Sequence, residues 1–165
     1  MEFDLNLQPD QLADLLQLGI DPDPPASEVG TNLALVEASK KNYRPIAHIG
    51  EGGFCDVWCA VNVNTRSLVA LKTIRTDHDE ANRDRAIAML RSEAGFISQF
   101  NDPRIVRMID VGGDAASSYI ALEYLASENI YIHCEMESLD VNARIELFLK
   151  IVEAAALLHE KGVVH

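Results

Sequence analysis

Residues 43–75 contain apolar patterns typical of β-strands, most clearly at 57–63, where Val57, Cys59, Val61 and Val63 alternate with the residues between them. Three such segments, 43–49, 57–63 and 67–75, follow one another closely. A glycine-rich turn separates the first two segments, and the polar residues 64–67 separate the last two. Three strands joined by short turns predict an antiparallel meander.

The pattern then changes to the period of a helix. Within residues 81–100, apolar side chains recur at spacings of three and four, which predicts a helix with one apolar face. The members of this stripe are Ile87, Leu90, Ala94 and Ile97. Asn-Asp-Pro at 101–103 predicts the end of the helix, because proline cannot continue it.

Two more strands and a long helix complete the pattern. Residues 105–111 and 118–125 predict strands, joined by the loop at 112–114. Residues 141–161 predict the longest helix, and Gly162 is expected to end it in a left-handed conformation. The apolar face of this helix comprises Ile145, Phe148, Leu149, Val152, Ala155, Ala156 and His159. This order predicts an α+β fold, in which a five-stranded antiparallel sheet carries one helix against it.

Residues 1–40 differ from the rest of the chain in charge. They hold eight acidic residues and one Lys, whereas the remaining residues hold 18 acidic and 13 basic residues. Asp-Pro-Asp-Pro-Pro at 21–25 predicts a linker, and residues 33–40 predict a short helix. Two interpretations remain open. The favoured one is an acidic extension that is partly helical or flexible, and the other is a segment that docks on a partner or on the domain itself.

The composition narrows the classes of function. Apolar residues make up 48% and charged residues 24%, as in ordinary globular proteins. No apolar run approaches the roughly 20 residues of a transmembrane helix, and the N-terminus lacks a secretory signal, so we expect no membrane segment and a cytoplasmic location. A net charge of −12 argues against nucleic acid as a partner. The three Cys and five His show no metal-ligand spacing, so no metal site is expected.

Two segments carry candidate chemistry. Gly50, Gly52 and Gly53 lie on the turn between the first two predicted strands, and glycine backbone amides can approach phosphate oxygens closely. Because this turn joins two strands, it argues against a Rossmann or Walker A site. Lys72 lies within the apolar third strand, where a buried cation needs a partner, and Glu93 on the predicted helix is the candidate. The alternative is an edge lysine that extends to solvent.

These residues, in this order, resemble the small lobe of a eukaryotic-like protein kinase of the Ser/Thr type. Gly50-x-Gly52-x-Phe54-x-x-Val57 is similar to the glycine-rich loop of that family, and Val-Ala-Leu-Lys at 69–72 is similar to the strand that carries its ATP-binding lysine. Glu93 resembles the partner on helix C. Three further segments are similar to parts of the family. Residues 102–107 resemble its His-Pro-Asn-Ile-Val segment, and residues 119–125 resemble its fifth strand and hinge. Residues 157–165 resemble the end of helix E, followed by the His of the His-Arg-Asp motif.

The resemblance implies roles in binding ATP. Lys72, held by Glu93, would contact the α- and β-phosphates, and these two are the catalytic candidates. The loop over the phosphates would comprise Gly50, Glu51, Gly52, Gly53 and Phe54. The adenine side would comprise Ile49, Val57, Ala70, the gatekeeper Leu122 and the backbone of Glu123 and Leu125, while Glu128 or Asn129 would reach the ribose hydroxyls.

The resemblance also divides the chain into parts of a kinase domain. A partial domain over residues 43–165 would comprise a small lobe at 43–122, a hinge at 123–129 and the start of a large lobe at 130–165. The sequence ends at the His of the His-Arg-Asp motif. We therefore expect a truncated domain without the rest of its large lobe, in which the ligands for Mg²⁺, the second expected cofactor, lie beyond residue 165.

One residue and one segment depart from the pattern of the family. Cys55 replaces the third glycine of the loop. A harmless small side chain is the favoured interpretation, and a redox-sensitive thiol near the phosphates is the alternative. Residues 127–140 show no clear helix D, so their alignment with the family is poor.

These features support two hypotheses for function. In the first, the chain is the ATP-binding part of a serine/threonine protein kinase, which transfers the γ-phosphate of ATP to hydroxyl groups of a protein substrate, and residues 1–165 alone are inactive. The alternative is a non-catalytic, truncated kinase-like module that binds nucleotide or has a regulatory role. A small-molecule phosphotransferase fits the set of motifs less well.

Overall fold

The computed structural model describes residues 32–127 and 129–164. Expectations for residues 1–31, for Glu128 and for His165 lie outside the described residues. Within them the chain forms two compact units. The first unit contains residues 32–101 and 106–126, and the second contains residues 102–105, 127 and 129–164.

The first unit is built on the predicted five-stranded antiparallel sheet. Its strands are β1 (Tyr43–Glu51), β2 (Cys55–Asn62), β3 (Ser67–Ile74), β4 (Met108–Gly112) and β5 (Tyr119–Glu123). The order across the sheet is β1-β2-β3-β5-β4, so the first three strands form the predicted meander. The α+β fold expected from the sequence is thereby confirmed.

Four α-helices are described, and each begins after an Asn or Asp whose side chain accepts a hydrogen bond from a backbone N–H of the first turn. Such caps satisfy amides that have no partner inside the helix. The helices are α1 (Leu33–Lys40), α2 (Glu80–Ile97), α3 (Ile130–Met136) and α4 (Val141–Glu160), capped by Asn32, Asp79, Asn129 and Asp140. Gly162 follows α4 with a φ of 75°, as its place after the helix predicted.

Helix α2 packs on one face of the sheet. Its buried residues Ala86, Leu90 and Ala94 recur every four positions, and they contact a cluster contributed by the sheet. The sheet residues of this cluster are Cys55, Ile74 and Ile120. The predicted stripe members Ile87 and Ile97 are half-buried, so the buried face is rotated slightly toward Ala86.

Helix α1 packs into a second cluster of the first unit, which changes the interpretation of the N-terminal region. Ala34, Leu35 and Ala38 have no exposed surface and share a cluster with sheet residues that include Trp58 and Leu71. In addition, Asn32 Nδ2 donates to Thr73 Oγ1 at 3.3 Å. Residues 32–40 therefore dock on the domain itself, instead of belonging to a flexible extension, because their small and branched apolar side chains cover one face of the sheet.

The second unit contains a helix that the sequence analysis did not expect. Helix α3 lies within residues 127–140, where the sequence showed no clear helix. Cys134 is the only buried residue of α3. Arg144 on α4 ties this unit together, since its guanidinium donates to the carbonyl of Leu139 and the carboxylate of Glu135, both at 2.8 Å. No residue of α4 is buried.

Candidate functional site

The glycine-rich turn connects β1 to β2 and remains paired almost to its tip. Gly50 lies opposite Val57, and the Gly52 N–H donates to the carbonyl of Cys55 at 2.7 Å. A Cβ atom on Gly52 would lie 3.3 Å from that carbonyl oxygen, so glycine suits the closed turn. Gly52 and Gly53 are exposed, which leaves the backbone of Gly53 accessible to a ligand, while the Gly52 N–H is engaged within the turn.

Lys72 lies near the centre of β3 and is paired with an acid, as predicted. It stands opposite Val57 on β2 and Ile120 on β5. Its Nζ is 2.8 Å and 2.6 Å from the two carboxylate oxygens of Glu93. The side chains of Lys72 and Glu93 are 26% and 36% exposed, so the ion pair is partly shielded from water. The interpretation as a lysine extending to solvent is therefore excluded.

The position of Glu93 follows from how α2 packs. Leu90 and Ala94 are buried against the sheet, and Glu93 is three residues after the first and one before the second. On a helix this spacing places Glu93 at the border of the buried face. Its carboxylate therefore reaches Lys72 without being fully removed from water.

A cavity of about 410 Å³ lies between the glycine-rich turn, Lys72 and α2. Its size is within the range of small-molecule sites, about 300–1,000 Å³. All of the predicted loop residues line it together with the Lys72–Glu93 pair. The complete lining is Gly50, Glu51, Gly52, Gly53, Phe54, Cys55, Val57, Lys72, Met89, Leu90 and Glu93.

Three other residues predicted for the adenine side, Ile49, Ala70 and Leu122, belong to the same sheet but do not line this cavity. On β3, Ala70 lies two residues before Lys72. Ala70 pairs with Leu122 on β5, and Lys72 pairs with Ile120. Since strand side chains alternate between faces, Ala70 and Leu122 share the face of Lys72. Ile49 is 36% exposed.

The predicted hinge residues differ in their surroundings. The N–H of Glu123 donates to the carbonyl of Arg107 at 2.9 Å, and the Glu123 carboxylate accepts from the N–H of Arg107 at 2.7 Å. The N–H of Glu123 is thus already engaged, whereas Leu125 is 60% exposed. Asn129 lies in the second unit, where its side chain accepts from the N–H of Ile132 at 3.0 Å, so its role at a ribose remains a prediction.

Three cavity residues, Cys55, Met89 and Leu90, were not among the predicted site residues. Met89 and Leu90 line the cavity from α2. Met89 precedes Glu93 by four residues, a spacing that places both on one side of a helix, so the signal was available once Glu93 was identified.

Cys55 also lines the cavity, and its surroundings favour an unreactive thiol. Burial raises its pKa, and this effect outweighs the opposing influence of Lys72. A raised pKa leaves little of the reactive thiolate at neutral pH. The interpretation as a harmless replacement for glycine is supported.

The described residues hold neither a metal-binding cluster nor a membrane-spanning helix. In residues 32–127 and 129–164, no group of three or more His, Cys, Asp or Glu side chains is arranged to hold a metal ion. No helix in the same residues is long and apolar enough to cross a membrane.

Comparisons with known proteins agree with this geometry. The CTD kinase subunit alpha of Schizosaccharomyces pombe is 29% identical over 146 residues, covering 87% of this chain and 23% of the relative. The probable serine/threonine-protein kinase PknB of Lactococcus lactis subsp. lactis is 30% identical over 125 residues, covering 74% of this chain and 20% of the relative. The chain thus spans about a fifth of the length of these curated relatives.

A solved structure supports the fold independently. The crystal structure of Rad53 1-466 in complex with AMP-PNP matches with a TM-score of 0.62 at 23% identity, over 77% of this chain and 33% of that chain. The sequence profile of the family described as "Protein kinase domain" matches residues 43–165. This match covers the sheet, α2 and the site between them, and the chain therefore belongs to the protein kinase domain family.

Proposed function

We propose that this chain is the ATP-binding part of a serine/threonine protein kinase. The observation that carries the proposal is the Lys72–Glu93 ion pair at the wall of a cavity whose opposite side is the glycine-rich turn. A cation held in place beside an exposed glycine-rich turn suits an anionic polyphosphate. The serine/threonine kinases among the relatives support Ser and Thr hydroxyl groups of a protein as the acceptor of the phosphate.

The lining of the cavity fits a nucleotide in charge and polarity. Lys72 supplies a positive charge, and Glu93, which would otherwise repel phosphate, is occupied by it. Val57, Met89 and Leu90 supply apolar surface. ATP, when bound, would supply the γ-phosphate for transfer, while Lys72 would orient the phosphates and the glycine backbone would cover them.

Mg²⁺ is expected to accompany ATP, but we assign it no ligand among the described residues. In the family, the Asp of the His-Arg-Asp motif is the catalytic base and the metal ligands follow that motif, whereas residues 1–165 include only its His. We therefore expect these residues alone to bind Mg·ATP weakly and to transfer no phosphate. A cytoplasmic location and a protein substrate complete the proposal.

Calorimetry with residues 1–165 tests this function. Mg·ATP should bind weakly to the unchanged chain, and Lys72→Met should lower the affinity at least about tenfold, because a phosphate contact held by an ion pair is lost. Lys41→Met is the matched control, since Lys41 is an exposed lysine that does not line the cavity. We expect Lys41→Met to bind as the unchanged chain does.

Two results would contradict the proposal. Equal affinity of the Lys72→Met and Lys41→Met variants would show that the nucleotide binds elsewhere. Steady phosphate transfer to a generic protein substrate by residues 1–165 would show that these residues contain a base and metal ligands that we do not assign.

A further inference from the structure

The segment after β3 contacts the glycine-rich turn directly. The Arg75 guanidinium donates through Nη1 to the carboxylate of Glu51 and, at 3.4 Å, to the carbonyl of Gly52. Through Nε and Nη2 it donates to the two carboxylate oxygens of Asp77, at 3.0 Å and 2.6 Å. One side chain thereby joins the first half of the turn to the segment that leads into α2.

The tip of the turn is held by the same segment. The N–H of Arg75 donates to the carbonyl of Phe54 at 3.1 Å, and His78 Nε2 lies 3.3 Å from the same oxygen. The Phe54 ring contacts the His78 ring, 5.5 Å away by centroids, and the guanidinium carbon of Arg85 lies 5.3 Å from the Phe54 ring centroid. The backbone and the side chain of the turn are therefore both fixed.

Arg75 reaches the turn from the side opposite the candidate nucleotide cavity. Ile74 belongs to the cluster under α2, and the neighbouring Thr73 contacts Asn32 on the α1 side. Arg75 lines a different, polar cavity together with Asn32 and Trp58, and it is absent from the lining around Lys72. It therefore supports the turn without being placed to touch a ligand beside Lys72.

We propose that Arg75 is a positioning residue that holds the glycine-rich turn in place from outside the cavity. Because its fork binds Glu51 and Asp77 at the same time, the turn cannot lift without breaking charge-assisted hydrogen bonds. The held turn keeps the exposed backbone of Gly53 at the cavity before a ligand arrives, which lowers the ordering cost of binding. This last consequence rests on the proposed binding of ATP.

Amide exchange and ¹⁵N relaxation of residues 1–165 without nucleotide test the positioning role by itself. Arg75→Ala should speed exchange of the Gly52 amide about tenfold and lower the order parameters of residues 51–54 from rigid values toward about 0.6. Arg104→Ala is the matched control, since Arg104 makes the same two-pronged contact with Asp102, two residues away, but does not contact the turn. It should leave residues 51–54 unchanged.

Charge reversal gives a second variant that does not depend on truncation. Arg75→Glu should mobilise the turn as Arg75→Ala does, and adding Glu51→Lys should restore part of the order because the pair is rebuilt in reverse. A simple loss of packing would not be rescued in this way. Unchanged exchange at Gly52 in Arg75→Ala, or the same change in Arg104→Ala, would overturn the proposal.

Nucleotide titration of the same variants separates this proposal from the proposed function. Arg75→Ala should weaken Mg·ATP binding about threefold to tenfold, with exchange in β3 unaltered. If ATP binds to none of the chains while Arg75→Ala still mobilises the turn, the proposed function fails and the positioning role stands. If ATP binding depends on Lys72 but the turn is unaffected by Arg75→Ala, the positioning role fails.

Discussion

Helices α2 and α4 carry similar apolar stripes but differ in the surfaces that those stripes contact. In the first unit, α2 buries Ala86, Leu90 and Ala94 against the sheet. In the second unit, α4 is longer and more apolar along its stripe, yet none of its residues is buried. Phe148 and Leu149 are 60% and 52% exposed. A periodic stripe therefore predicts a face that can pack, and burial depends on an opposing surface.

This difference separates the part of the chain that carries the site from the part that does not. The buried apolar residues of the described chain lie in the first unit, apart from Cys134. The Lys72–Glu93 pair is set between two elements that share this core. A site of fixed geometry requires such support, since side chains are held in place by the groups that pack beneath them.

Truncating one apolar side chain in each unit should give the largest difference in the free energy of unfolding. Leu71 has no exposed surface, so Leu71→Ala should lower the free energy of unfolding of the first unit by about 2–5 kcal/mol. Phe148→Ala should change it by no more than about 0.5 kcal/mol. Urea unfolding followed by fluorescence of Trp58, the one tryptophan and a core residue, measures both. Equal losses would show that α4 supports the first unit.

Removing one helix cap in each unit should give a smaller difference in the unfolding transition reported by Trp58. Asn32 caps α1 and also donates to Thr73, so Asn32→Ala should cost about 1–2 kcal/mol in the same transition. Asp140 caps α4 at 2.9 Å from the N–H of Ala143. Asp140→Ala should lower helix content by circular dichroism without moving the Trp58 transition. A neutral Asn32→Ala would contradict the docking of α1 on the sheet.

Two carboxyl groups, each paired with an arginine two residues away, offer the most local comparison between the units. Hydrogen bonds from Arg75 lower the pKa of Asp77 to about 2, and those from Arg104 lower the pKa of Asp102 to about 2. Both folded-state values lie below the ordinary 3.8, so any stabilisation is complete above about pH 4 and is lost as pH falls through 2. The effect on stability should be small because Asp77 is exposed and Asp102 is still partly exposed to water.

Carboxyl titration by NMR checks this comparison. In Arg75→Ala the pKa of Asp77 should return toward 3.8 while that of Asp102 stays near 2, and Arg104→Ala should do the reverse. If Asp77 keeps its low pKa in Arg75→Ala, its main partner is another group and the bridge to the glycine-rich turn is weaker than described.

The sheet, α2 and the central ion pair could be predicted because each has a strong local signal. Strand alternation, a stripe of period 3.6 and the order of Gly50, Lys72 and Glu93 are all readable along the chain. The docking of α1 was only the less favoured of two interpretations, because a helix of eight residues beside an acidic segment is too short for its pattern alone to indicate burial.

The missed elements had weak or non-local signals. Helix α3 has seven residues, several of them β-branched or aromatic, so it shows no helical period and depends on its Asn129 cap. The contacts of Arg75 join residues 23 and 24 positions apart through the path of a turn. Sequence pattern identifies the charges but not which of them meet.

Chemical-shift mapping with Mg·ATP on ¹⁵N-labelled residues 1–165 tests whether the cavity beside Lys72 binds the nucleotide. We expect the shifts to concentrate at residues 50–55 and around Lys72 and α2, while amides of α1 on the opposite face remain unchanged. The same shifts should vanish in Lys72→Met. Shifts concentrated on α1 or α4, or a response unaltered by Lys72→Met, would contradict the assignment of this cavity as the nucleotide site.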